Sequence, residues 1–169
     1  MADRALMIES LTFTPVADAA AFTDNGYVAL QGGGALQINK IKEVFAGGQA
    51  AAAAVMRLIL ALDSTVGVTL TALVTPDANG ALNPSAAALS TPALGFKAST
   101  TKPQRSNSIT AGKMVFAFNP FGGLSRWQAP PDGEVFLVGN AASAGEASLS
   151  AFTGSSGGPC GVHMIYETL

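Results

Sequence analysis

The sequence predicts an all-β domain, a sandwich or jelly-roll-like arrangement of about ten short strands with one long Pro/Ser/Thr-rich excursion. Three observations carry this expectation. Short apolar runs alternate with turn clusters along the whole chain, among them Asp24-Asn25-Gly26, Gly32-Gly33-Gly34, Asn79-Gly80, Gly122-Gly123 and Pro130-Pro131-Asp132-Gly133. Strict alternation puts Met114, Phe116 and Phe118 on one face of a strand. No repeat of roughly 20–50 residues and no linker interrupts the chain, so its 169 residues are expected to form a single domain, 1–169.

In chain order, strands are predicted at Met7–Phe13, Gly26–Gln31, Leu36–Phe45, Met56–Leu62 and Gly67–Val74, then at Gly95–Thr100, Lys113–Phe118, Val135–Val138, Ala147–Phe152 and Val162–Glu167. Within Leu36–Ile41 the alternation holds and then slips by one residue, which points to a bulge or a strand end. The segment Gln49–Leu62 is ambiguous. Ala50 to Ala54 favour helix by propensity, but Gly47 and Gly48 precede them without an N-cap and Leu58, Ile59, Leu60 and Leu62 lack a helical period. A strand is therefore expected from Met56 onward, with the alanines left as a turn or a short helix.

From Thr75 to Asn107 the residues Pro76, Pro84, Pro92 and Pro103 oppose both helix and central strand. This stretch, the excursion of 75–107, is expected to leave the core, with a short helical turn at Pro84–Leu89.

Composition narrows the function classes. Apolar residues make up 49% of the chain and charged residues 12%, about half the usual share of roughly 25%. Such a surface is either covered by copies of the chain or a partner, or built from Ser, Thr, Asn and Gly. With net charge −2 and no polybasic run, the counterion-displacing footprint of nucleic-acid binding is missing. Met1-Ala2-Asp3-Arg4 lacks the apolar core of a signal peptide. The most apolar run, Ala50 to Leu62, is broken by Arg57 and is too short to span a bilayer, so no membrane partner is expected. The lone Cys160 excludes an intrachain disulfide and suits a protein made in a reducing cytoplasm.

No catalytic residue, cofactor or metal site is predicted. Gly154-Ser155-Ser156-Gly157-Gly158-Pro159 matches the G-x-S-x-G pattern and approaches a serine-protease signature. Nucleophilic chemistry needs a histidine and an orienting carboxylate, yet the single His163 follows Ser156 closely and no carboxylate lies between them. A Gly/Ser turn joining the last two strands is the preferred reading. His163 alone, with one thiol in the chain, cannot build a zinc site and is expected on a strand. Gly32-Gly33-Gly34 lacks the ending of a phosphate loop.

Two groups are candidate partner contacts. Lys97, Lys102 and Arg105 form a basic cluster inside the excursion that would meet an acidic surface; the plainer alternative is a solvated loop. Phe121 and Trp127 flank a Gly-Pro turn and would anchor an interface, or else pack as a β-corner on the core.

Three stretches carry a resemblance. They are Val44-Phe45-Ala46-Gly47-Gly48-Gln49 leading into Leu60-Ala61-Leu62-Asp63-Ser64-Thr65-Val66-Gly67; Ser99-Thr100-Thr101-Lys102-Pro103-Gln104-Arg105-Ser106; and Gly145-Glu146-Ala147-Ser148-Leu149-Ser150-Ala151-Phe152-Thr153-Gly154 with Ile165-Tyr166-Glu167. Together the chain resembles small structural proteins of tailed bacteriophages, of the capsid-decoration or head-associated kind. The resemblance implies a non-enzymatic virion protein made in the bacterial host cytoplasm, docking on the phage capsid or another virion protein. It would form a homo-oligomer, with a trimer as first choice because it matches the three-fold positions of icosahedral shells. Two other readings stand beside it: a carbohydrate- or receptor-binding module of a fibre or tail, with Trp127, Arg126 and Gln128 as the sugar platform, and a major or minor shell subunit.

Overall fold

In the computed structural model the described residues are 2–13, 22–24, 28–63, 71–97, 101–105, 112–139, 145–151 and 157–169. They form fourteen strands and one short helix. One six-stranded antiparallel sheet contains β1 (Asp3–Phe13), β4 (Ile38–Gly48), β7 (Gly80–Ala81), β11 (Leu124–Gln128), β12 (Val135–Val138) and β14 (Gly158–Thr168). The second contains β3 (Val28–Gln31), β5 (Met56–Asp63), β6 (Thr71–Ala72), β8 (Leu94–Lys97), β10 (Gly112–Phe118) and β13 (Glu146–Ala151). A two-stranded ribbon joins β2 (Phe22–Asp24) to β9 (Thr101–Arg105).

The strand order gives the topology. In the first sheet β1, β14 and β4 lie side by side, and β11 and β12 share the far edge of β4; in the second the order β3, β13, β5, β10 runs parallel to it. The chain crosses between sheets at nearly every connection, from β1 to β3 to β4 to β5, and again from β10 to β11 and from β12 through β13 to β14. That double wrap is a jelly roll. The connection from β5 to β10 begins and ends in the second sheet, and it carries β6, α1, β7, β8 and β9.

Alternation builds the core between the sheets. Leu6, Ile41, Val44, Met164 and Tyr166 face inward from one sheet and Leu30, Leu58, Leu60, Phe116 and Leu149 from the other, all buried. Met114 and Phe118 pack against this cluster beside Phe116, as their spacing predicts. The slip in alternation also materialises, one residue further on. Ile165 pairs with Glu43 and Tyr166 with Ile41, so Lys42 is an extra residue in β4.

The alanine run is not helical. Residues 49–55 lie outside any helix or strand, and β5 begins at Met56 as expected. The backbone N–H of Ala50 donates to Pro120 O at 2.9 Å and that of Ala54 to Asn119 Oδ1 at 3.2 Å. These partners on the 119–123 turn replace the internal hydrogen bonds that a helix would need. A Cβ at Gly48 would come within 2.1 Å of Pro120 O, which explains a glycine where the turn presses on β4.

The excursion of 75–107 differs from expectation, because its described part returns to the sandwich. Pro76 occupies the first turn of α1 (Thr75–Asn79), where its missing N–H costs nothing, and no helix forms at 84–89. β6 and β8 extend the second sheet beyond β3, while β7 extends the first beyond β1. Small residues permit this: a Cβ on Gly95 would sit 2.8 Å from both Ala78 Cβ and Leu6 Cδ1. Polar groups then fasten the segment. Tyr166 Oη donates to Ala78 O at 2.9 Å and lies 3.0 Å from Asn79 Oδ1, and the buried Arg4 guanidinium donates to Ala87 O at 2.8 Å. Pro103 falls on β9 of the two-stranded ribbon, away from any central strand.

Tyr166→Phe keeps the ring and removes the hydroxyl, leaving buried acceptors on α1 without their donor. We expect a loss of about 1–3 kcal/mol of stability with an unchanged denaturant slope, read from urea unfolding curves. Cys160 is wholly buried, and burial pushes its thiol up to about 11. Maleimide at pH 8 should therefore modify it slowly in the native protein and rapidly in urea, as followed by intact-mass measurement.

Candidate functional site

The two outer faces of the sandwich are unequal. Every residue of β3 and β13 is buried, including Gln31, Glu146, Ser148 and Ser150, whose side chains turn away from the core. The ribbon strand β9 lies against β5 and β13 on that side. Gln31 Nε2 donates to Glu146 Oε2 at 2.7 Å beneath this cover. The outer face of the first sheet, by contrast, is open at Met7, Glu9, Arg126 and Gln128, and the candidate site is sought there.

Register assembles it. Arg126 pairs with Phe45, Phe45 with His163, and His163 with Met7, forming one row across β11, β4, β14 and β1. Because Lys42 is the extra residue of the bulge, Lys42 and Glu43 both project outward although they are consecutive. Glu43 therefore reaches the row from below. Its Oε2 accepts from Arg126 Nη2 at 2.7 Å, and its Oε1 lies 2.7 Å from His163 Nε2. The imidazole stacks on Phe45 with centroids 4.9 Å apart and planes 9° from parallel. Lys42 makes a second cluster, with Asp3 at 2.6 Å and Glu167 at 3.0 Å. Lys40 binds Glu134 at 3.0 Å and lies over Phe136.

Electrostatics fix the charge states of these groups. The Arg126 guanidinium, followed by the His163 hydrogen bond, holds the Glu43 carboxyl below its ordinary range against the opposing effect of burial. Glu43 is thus ionised near neutral pH and accepts from His163 Nε2–H. Lys42 holds Glu167 low, and Lys40 does the same for Glu134.

A larger cleft of about 720 Å³ lies between the start of β1 and residues 82–89. Its ionic groups are already engaged, since Asp3 binds Lys42 and Arg4 donates to backbone carbonyls.

The residues expected to make contacts are dispersed. Trp127 points inward and packs against the core, because alternation along β11 turns Arg126 and Gln128 outward and Trp127 in. The sugar platform of Trp127, Arg126 and Gln128 is thereby corrected: the two polar residues are on the surface, but the ring is not. Phe121 is exposed at 58% on the 119–123 turn. Lys97 is exposed on β8, while Lys102 and Arg105 lie on β9 in the ribbon, so the basic cluster is divided between two sheets. The side chains of Lys102 and Arg105 are outside the described residues, as is Ser156. Among the described residues no group of three His, Cys, Asp or Glu could hold a metal, and no helix is long and apolar enough to cross a membrane.

Sequence reasoning missed Glu43 and Phe45 altogether and treated His163 in isolation. The usable signal was the slip in alternation near Lys40, which marks where two neighbouring residues share a face. No protein-family profile, curated protein or solved structure matches this chain.

Glu43 binds a proton less readily in the folded protein than in the unfolded chain. The resulting stability is complete above the ordinary carboxyl value of 4.5 and disappears as pH falls through the lowered folded value. Glu43→Gln should therefore flatten the decline in urea midpoint across the acid range without abolishing it, since Glu134 and Glu167 contribute in the same direction. A variant whose acid profile overlays the wild type would mean that the Arg126–Glu43–His163 cluster carries no linkage.

Proposed function

We propose that this chain is a non-enzymatic virion structural protein, of the capsid-decoration kind, that associates with itself and docks on a phage head. The observation that carries the reading is the free side of the sandwich. The β1–β3 side is closed by β6, β7, β8 and α1, whereas β10 and β11 meet at the opposite side as strand edges. Val115, Leu124, Phe136 and Val138 are exposed there, at 55%, 63%, 45% and 48%. A strand edge bearing apolar side chains tends to pair with another chain unless something covers it. A chain with only 12% charged residues supplies little repulsion to prevent that. The jelly roll recurs in viral capsid and lectin domains, which favours the reading by analogy of fold.

In this role β10 and β11 with β12 form the contact between copies, in a trimer, and Lys97, Lys102 and Arg105 meet acidic groups of the shell. Light scattering should give a stable oligomer at micromolar concentration. Val115→Lys combined with Val138→Lys should convert it to monomer while leaving the thermal melt close to wild type. A wild-type protein that is monomeric throughout would remove the oligomer from the proposal, and its absence from purified virions by quantitative mass spectrometry would remove the virion role.

Replacing Lys97, Lys102 and Arg105 together by Ser should leave the free domain folded and lower its occupancy on particles. The loss should be larger at low salt, where exposed charges are less screened. Occupancy unchanged from wild type at both salt concentrations would place the contact elsewhere, with Phe121 the next residue to test.

A further inference from the structure

On the open face of the first sheet a hollow of about 250 Å³ lies between β1, β4 and β14. Its walls include Met7, Glu9, Phe45, Gln49 and His163, and Gly161 contributes to the floor. Phe45 and His163 are held parallel by their stack, and Glu43 fixes the imidazole from the side. A glycine within a strand gives up packing and often marks a place where something approaches the backbone closely. Gly47 is explained within the chain, because the Phe45 ring lies 3.0 Å from where its Cβ would be. Gly161 is not explained in that way. A Cβ there would meet only Gln49 Nε2 at 3.5 Å, Ile8 O at 3.9 Å and Gln49 Cδ at 4.0 Å, ordinary contacts that any residue tolerates.

The polar groups around the hollow are mainly acceptors. Since Glu43 takes the Nε2–H, Nδ1 is the ring nitrogen of His163 left with no partner among the described residues. Glu9 brings an exposed carboxylate. Flanking them are an aromatic ring and Met7, which is 55% exposed. Acceptors beside an apolar ring suit a ligand with several O–H donors on one edge and C–H groups on its face. The carboxylate opposes anions, and the polar walls oppose a lipid chain.

We infer that the hollow over Gly161, bounded by Phe45, His163, Met7, Glu9 and Gln49, binds a neutral hydroxyl-rich ligand of sugar-ring size. Its volume is below the roughly 300 Å³ at which drug-sized pockets begin, so one ring is accommodated. The inference does not depend on the virion role.

The test uses the full chain with two substitutions. Gly161→Leu fills the hollow from an outward-facing position, and His163→Phe keeps an aromatic stack while removing Nδ1. Neutral methyl glycosides are titrated in solution with amide shifts as the readout, and the same protein is applied to an array of immobilised neutral glycans. The wild type is expected to bind at least one of these sugars, with the largest shifts at Gly47 and Gly161. Each substitution should weaken binding about tenfold or more, equivalent to about 1.4 kcal/mol, with a melt near wild type. Binding of free glycosides marks a single-ring ligand, and binding of arrayed glycans alone marks a ring within a surface polysaccharide. The inference is overturned if no neutral sugar binds in either format, or if an observed Kd is unchanged in both variants.

Discussion

The extra residue in β4 is the constraint from which the exposed face follows. β4 is the spine of its sheet, hydrogen-bonded to β14 along one side and to β11 and β12 along the other. Its inward residues are Asn39 and Ile41 before Lys42, then Val44 and Ala46 after it, a set that strict alternation could not bury together. Inserting Lys42 lets both halves of the strand face the core. The same insertion turns two consecutive charged residues outward, and each gathers its own partners: Asp3 and Glu167 on Lys42, Arg126 and His163 on Glu43. These contacts draw on four strands, so a change of one residue in β4 register would dismantle all of them.

A second asymmetry concerns what covers each sheet. The ribbon over β5 and β13 makes the second sheet an inner layer, which is why β13 is buried on both faces despite a sequence of alternating Ala, Ser and Leu. Serine suits such a strand because it is small enough to lie beneath another layer. Its cost is polar: the Ser148 and Ser150 hydroxyls have no hydrogen-bond partner among the described residues. The first sheet carries the charged clusters because its outer face meets water. Ionisable groups there keep most of their hydration and need only partial pairing.

Among the described residues, several charged groups pair with one another on that face. Lys40, Lys42, Glu43, Arg126, Glu134 and Glu167 are engaged in ion pairs around β4. On β11 and β12 the exposed Leu124, Phe136 and Val138 lie beside Arg126 and the Lys40–Glu134 pair, so apolar and ionic side chains share that part of the first sheet.

The strand content was legible because alternation is a local property. Met114, Phe116 and Phe118, the run from Met56, and Val135–Val138 each declare their face within a few residues, and the slip near Lys40 declared the bulge. Leu124–Gln128 was not legible: it is short, lies between Gly122-Gly123 and Pro130-Pro131, and becomes a strand through its pairing with β4. The excursion departs from expectation because proline opposes the interior of regular structure but not the first turn of a helix. One proline starts a helix, and small Gly95 and Ala78 allow that helix to seat on β1. Of the candidate site, the sequence determined the residue types of Phe45 and His163 and put both on strands. It could not determine their stack or the Glu43 pair, because those residues are 120 positions apart for Glu43 and His163. Only register between β4 and β14 brings them within hydrogen-bond reach, and register is settled by the burial of whole strands rather than by any local pattern.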